Sequence, residues 1–292
     1  MNDHWPVLPL EAWKDTCDTL HLYAQIVGKV RLALAPPEPQ WAHVPLYVTA
    51  RGLTTSPMPC AERTFAIDFD FIAHKLLIGA SDGQTRSIEL KPRSVADFYA
   101  QVMEALRDLA IDVSINPMPQ EIASPIPFTD DRVHAAYDAE YVNRFWRILS
   151  QVDAVFKEHR APFRGRQTVV QFFWGSFDLA YARFSGRPAQ APSGNVIMRK
   201  GMDAEEIAAG FWPGDDRFPE PAFWSYAYPK PAGVEKAKIG PQAAAWNAEM
   251  GEFMLRYEDV RSSESPRAAI LEFLSSTYEA CAALAGWDLA SR

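Results

Sequence analysis

In "FFWGSFDLAYARFSGR" (172–187) a carboxylate, Asp178, sits inside a strand-like apolar run whose end is basic, with Arg183 and Arg187. A buried carboxylate is costly unless it is paired, and its pKa climbs when pairing is incomplete. Two readings of Asp178 stand. It is a structural ion-pair partner for Arg183, Arg144, Arg147 or Arg51, or it is a site acid tuned by apolar neighbours. With no bulge at Gly175, a period of two places Val170, Phe172, Trp174, Ser176, Asp178 and Ala180 on one face. "WGSF" lacks the G-x-S-x-G frame of a nucleophile elbow, which argues against a serine hydrolase.

"FAIDFDFIAHKL" (65–76) carries a second set of polar groups. Alternation puts Phe65, Ile67, Phe69 and Phe71 on one face and Asp68, Asp70 and His74 on the other. Two carboxylates and an imidazole together suit acid–base work or a divalent cation. The same alternation also describes the wet face of an antiparallel strand. His21, His43 and His74 lie in segments expected to pack together, which opens a third, metal-dependent reading. No H-x-H or H-E-x-x-H spacing supports it, and no metal ligand is assigned. "GFWPG" and "AFWSYAY" bring Trp212, Trp224, Tyr226 and Tyr228 close in sequence, as an aromatic wall for a planar or cationic ligand or as core.

The elements that must position these groups follow from periodicity. Trp13, Cys17, Leu20 and Tyr23 recur at helical spacing over 10–26, with Gly28 in a C-cap position and "KVRLAL" as a strand. Strands are expected at 43–53, 63–79 and 85–90, around an Asp-Gly turn in "SDGQ". Ser94 and Ser265 cap helices over 94–111 and 265–286, the second with Pro266 at its first position. A helix covers 138–159, and strands cover "QTVVQFF", "SFDLAYARF", "PAFWSYAYPKP" and part of 246–260. Both halves, 1–117 and 137–292, read as helix, about four strands, helix, joined by a Pro-rich crossover at 117–136. "FDFIAHKL" (69–76) and "FDLAYARF" (177–184) echo one another, which suggests an internal pseudo-duplication. Residues 185–222 form the longest irregular stretch, with one short helix over "DAEEIAAG", and are a candidate lid.

The chain has 292 residues, 48% of them hydrophobic, enough for a substantial core in a single compact unit. Net charge is −8, which argues against nucleic acid and anionic membranes. The three cysteines, Cys17, Cys60 and Cys281, suggest neither a disulfide framework nor a metal knuckle and read as reduced thiols. The N-terminal residues lack the pattern of a signal peptide, so the expected location is cytoplasmic. No P-loop or G-x-G-x-x-G occurs, so no nucleotide cofactor has positive support and the cofactor is unknown.

"WPVLPLEAWKDTCDTLHLYAQIVGKVRL", "HVPLYVTARGLTTSP", "FAIDFDFIAHKL", "PRSVADFYAQVM", "FFWGSFDLAYARFSGR", "GFWPG", "AFWSYAYPKP" and "FLSSTYEA" together resemble the bacterial domain-of-unknown-function family 5996 over nearly the whole chain. The resemblance implies one full-length unit in the bacterial cytoplasm and no particular activity. It also implies His at the position of Gln171 and Ser-His-Glu at 203–205. Here those positions are Gln171, Asp203, Ala204 and Glu205, so any use of those imidazoles is lost and Glu205 alone is kept.

The expected fold is α+β, antiparallel sheet with helices packed on one face. The expected function is a small-molecule-binding protein or enzyme with its pocket between the halves, under 185–222. Asp70, His74 and Asp178 are the candidate catalytic groups. Arg51, Trp174, Ser176, Arg183, Trp212, Trp224 and Tyr226 are the candidate ligand contacts. The alternative is a non-catalytic interaction module whose buried charges are structural pairs.

Overall fold

A computed structural model describes residues 4–194 and 196–288. Among them are six helices and two antiparallel six-stranded sheets, an α+β arrangement. The helices are α1 (Leu10–Leu34), α2 (Val95–Asp108), α3 (Ala139–Arg160), α4 (Val196–Gly201), α5 (Tyr257–Arg261) and α6 (Pro266–Leu284). The first sheet holds β1 (Tyr47–Val48), β2 (Gly52–Thr54), β3 (Met58–Cys60), β4 (Arg63–Asp70), β5 (Lys75–Ala80) and β6 (Thr85–Glu89). The second holds β7 (Gln171–Phe173), β8 (Asp178–Pro188), β9 (Ala204–Trp212), β10 (Ala222–Tyr228), β11 (Ala245–Asn247) and β12 (Glu252–Arg256), ordered β11-β12-β10-β9-β8-β7. Each half thus runs helix, antiparallel meander, helix, as an internal duplication would.

Helix α1 is eight residues longer than periodicity predicts, and "KVRLAL" belongs to it rather than to a strand. Its apolar residues are buried on more than one side, because α2 and β3 pack on it from the first half and α3 from the second. Gly28 is therefore no cap. A Cβ there would stand 2.2 Å from the Trp174 ring, so glycine lets the indole lie directly on the helix backbone. Trp174 also donates to the Val44 carbonyl at 2.9 Å, which ties the two halves together at one side chain. The caps at Ser94 and Ser265 form as expected, and Asp138, read as the first residue of its helix, caps α3.

The crossover is clamped to α1 by a polar stripe at i, i+4, i+8. Gln25 exchanges two 2.8 Å hydrogen bonds with Gln120, and Lys29 donates to the Met118 carbonyl at 2.7 Å. His21 lies 2.9 Å from the Gly175 carbonyl. Buried polar groups so partnered fix the path of a Pro-rich segment that forms no element of its own.

Residues 204–212 are a correction. They form β9, hydrogen-bonded to β8 on one side and β10 on the other, and are neither a helix nor part of a lid. "AEEIAAG" has high helix propensity, but small residues are required here for another reason. A Cβ on Gly210 would meet the Trp224 ring at 2.3 Å and the Leu179 carbonyl at 2.8 Å. Tertiary packing overrides the weaker local preference.

One face of the second sheet is mostly apolar, with Arg183 and Ser225 its buried polar residues. Leu179, Tyr181, Ile207, Phe211, Phe223, Phe253 and Leu255 are buried, and Tyr181 and Phe223 meet Phe156 of α3 edge-on at 5.3 and 6.4 Å. Helix α6 covers β9 and β10 on that side. The opposite face has a different composition.

Candidate functional site

Pairing fixes which residues share that opposite face. Gln171 faces Ala180, Ala180 faces Gly210, and Gly210 faces Trp224; Tyr226 faces Ala208, and Ala208 faces Ala182. The middle of the face is thus a floor of Ala180, Ala182, Ala208 and Gly210. Around it stand Gln171, Asp178, Trp212, Trp224, Tyr226, Glu206 and Glu252, which alternation places on the same side. Trp224 and Tyr226 have nearly parallel rings, 13° apart with centroids at 5.5 Å. Phe218 and Met250 pack with Trp212 and Trp224 at the Asp178 end. At the other end, beside Tyr228 and Pro229, an open depression of about 720 Å³ is lined by Gln190–Gly194 and Arg199. A smaller cavity of about 180 Å³ there includes Glu206 and Trp287.

Asp178 is 8% exposed. Its hydrogen-bond partner is the Ser176 hydroxyl, 2.5 Å from Oδ1, and the Trp224 side chain lies in range of it. Among the described residues no arginine pairs with it, which corrects the ion-pair reading: Arg183 points to the apolar face, where alternation puts it. There it donates to the His159 carbonyl at 2.6 Å and lies 4.8 Å from the Phe163 ring and 4.4 Å from the Tyr278 ring. Burial, with the nearby Glu121 carboxylate adding to it, pushes the Asp178 pKa up to about 7, against the pull of the Ser176 hydrogen bond.

Three further acids behave alike. Burial lifts Glu206 to about 7 even though Tyr226 Oη donates to it at 3.2 Å. Burial and the field of Asp178 lift Glu252 to about 7. Glu121, from the crossover, is raised by burial, and its Oε2 would sit 2.6 Å from a Cβ on Gly175. Asp178, Glu206 and Glu252 therefore lie around one aromatic pair, with Glu121 near Asp178, and the ones within reach of each other oppose each other's ionisation. Arg217 is the cation in range of Glu121 and Glu252, but it is held by Asp215 at 2.8 Å.

The other predicted groups lie elsewhere. Asp70 ends β4 in the first sheet, 2.7 Å from Arg51 Nε, and accepts from the backbone N–H of Ile72 and Ala73 at 3.0 and 2.9 Å. Burial alone would raise its pKa, but Arg51 and these N–H groups outweigh it and hold the carboxyl below the ordinary value. His74 meets Tyr137 Oη at 3.0 Å. Trp174 is in the α1 contact. Ser176 is in the β7–β8 turn, so Phe172 and Asp178 face opposite sides rather than sharing one. His21, His43 and His74 do not converge; among the described residues no group of three His, Cys, Asp or Glu is arranged to hold a metal ion. Asp203 meets the side chain of Gln40 at 2.5 Å, and Ala204 opens β9 opposite Pro188.

The sequence thus brings Asp178, Ser176, Trp212, Trp224 and Tyr226 together on one face, and sets Asp70, His74 and Arg51 in a second cluster. Glu121, Glu206, Glu252 and Gln171 escape sequence reasoning. Strand alternation in "EIAAGFW" would have put Glu206, Ala208, Gly210 and Trp212 on one side, but a helix reading of the same residues hid it.

Two antiparallel sheets, each flanked by helices, the second with a carboxyl–aromatic face, define the class of architecture. A family model described as a family of unknown function, DUF5996, matches residues 5–292, and the chain belongs to that family. No curated protein and no solved structure matches it.

Proposed function

We propose that this protein binds a small molecule on the carboxyl–aromatic face of its second sheet, where the crossover and residues 213–221 border β8, β9, β10 and β12. The observation that carries this reading is the set Asp178, Glu206 and Glu252. Three carboxyls are withdrawn from water around two half-buried aromatic rings, none of them in an ion pair among the described residues, and each departs from its ordinary pKa. Such groups destabilise a fold, and sites are where proteins keep them. The small-residue floor supports the reading, since it lets the Trp224 ring lie flat over Gly210 beside Tyr226, so that the two rings present one flat surface. So does the 720 Å³ depression at the Tyr228 end, which is of ligand-pocket size and is lined by part of the 185–222 segment. A carboxyl with a pKa near 7 both donates and accepts a proton at neutral pH, so acid–base chemistry is available to the same site. The free thiols of Cys17, Cys60 and Cys281 support a reducing location, the bacterial cytoplasm.

The test is a thermal-shift screen of a metabolite panel against the wild type and Ala182→Trp, which fills the floor. The expected result is at least one compound that raises Tm in the wild type and not in the variant. Hits that persist undiminished in Ala182→Trp would place binding elsewhere and refute this site.

A further inference from the structure

Resting on that reading, we propose that the molecule held on this face is a planar organic cation, an amidinium or a protonated heteroaromatic amine. It lies against Trp224 and Tyr226, with its charge among Asp178, Glu206 and Glu252 and a ring or amino N–H donated to the Gln171 side chain.

Charge comes first. Among the described residues no Lys, Arg or His forms an ion pair with Asp178, Glu206 or Glu252. Arg217 is held by Asp215, and Arg166 lies over the Phe184 ring at 4.3 Å and donates to Gln40. Two ionised carboxylates at short range in a weakly polar setting repel one another by several kcal/mol, and a bound cation turns that repulsion into attraction. An anion would add to it, and a neutral ligand would leave it in place. The net charge of −8 acts in the same direction on approach.

Shape comes second. Near-parallel indole and phenol rings over Ala and Gly offer flat π surface, which prefers a flat cation. Gln171 is an independent third observation. It is only 2% exposed and its Cα partner is Ala180, so its side chain rises from the carboxyl face. Among the described residues no hydrogen bond to its amide is made. Its amide atoms are not among the fully buried ones that lack a partner, so the amide opens onto the space in front of the face, where a ligand's N–H can meet its oxygen. The amide oxygen adds an acceptor to the ionised carboxylates, which suits a ligand rich in donors.

Binding is linked to protons. The groups facing Asp178 are Ser176 on its own turn, Glu121 on the crossover, Trp224 and Tyr226 on β10, and Glu252 on β12. Glu206 on β9 faces Tyr226, with Asp203 and Arg166 in range of it. A cation draws the carboxyls into their ionised forms, so binding releases protons and tightens as pH rises through 7.

The probes are benzamidinium, its neutral isostere benzamide and the anion benzoate. Binding is followed by calorimetry at pH 6 and pH 8 and by the Trp224 indole N–H resonance. Benzamidinium is expected to bind at least tenfold more tightly than benzamide, severalfold more tightly at pH 8 than at pH 6, and with proton release; benzoate is expected not to bind. Gln171→Leu should weaken benzamidinium severalfold, and Asp178→Asn with Glu252→Gln should remove both the preference and the proton release. Benzamide or benzoate matching benzamidinium while shifting Trp224 would refute the cation and leave the site. Benzamidinium that binds equally to the double variant would refute its placement on this face. No Trp224 response to any of the three, nor to the wider panel, would refute the site itself.

Discussion

Two hairpins, β4–β5 and β7–β8, are built alike and differ in whether their aspartate is compensated. Asp70 pairs with Lys75 across the first and Phe173 with Asp178 across the second, so each closes with four residues, 71–74 and 174–177. The fourth turn residue is left-handed in both: His74 has φ 51° and Phe177 has φ 61°. The carboxylate stands before the turn in the first hairpin and after it in the second. Asp70 is satisfied by Arg51 and two backbone N–H groups, and its pKa falls. Asp178 has a hydroxyl and an indole, no cation, and carboxylate neighbours, and its pKa rises. The same local scaffold thus serves as a capped corner in one sheet and as the edge of a candidate site in the other. What differs is not backbone geometry but whether the charge is compensated.

The largest break in this comparison should come from the turn residue rather than the acids. Phe177 is buried against His21, Phe145 and Phe172, with centroids at 4.8, 5.4 and 5.2 Å. Phe177→Ala should lower stability by about 3–5 kcal/mol in denaturant unfolding. Next is Asp178→Asn. A carboxyl whose folded pKa lies above its unfolded value binds more protons in the folded state, so stability falls as pH rises from about 4 to 7. Removing the charge should therefore stabilise the protein at pH 8 by about 2–4 kcal/mol and change little at pH 4. Asp70→Ala should act in the opposite direction. It loses an ion pair and two turn hydrogen bonds, costing about 1–3 kcal/mol at pH 7, and the cost should shrink as pH falls and the carboxylate protonates. Smallest is His74→Gly. It relieves a left-handed φ but gives up the Tyr137 contact, and should stay within about 1 kcal/mol of wild type. An effect of Phe177→Ala no larger than that of His74→Gly would show that the two turns are not anchored differently.

Much of the fold was legible in the sequence because it rests on local signals. Ser94, Asp138 and Ser265 mark helix starts that form as read, and alternation in "FAIDFDF" correctly buries Phe65, Ile67, Phe69 and Phe71. The misreadings fall at Gly28 and Gly210. Each glycine is required by an indole that arrives from far away in the chain, Trp174 and Trp224, and no local pattern encodes such a visitor. The echo between "FDFIAHKL" and "FDLAYARF" pointed to matching hairpins but in a shifted register, since the residue equivalent to Asp70 in the turn is Phe173. The aromatic and Asp178 part of the site was visible as residue types. The acids were not, because Glu206, Glu252 and Glu121 converge only through strand pairing and the path of the crossover.

The uncompensated state of Asp178 is the central claim, and a carbon-detected NMR titration of its side-chain carboxyl tests it most directly. The expected result is an apparent pKa near 7, with Asp70 in the same spectra titrating below the ordinary carboxylate value. A value for Asp178 at or below 4 would contradict the account, since it would mean that an unrecognised partner already neutralises the carboxylate and that the second sheet holds no poised acid.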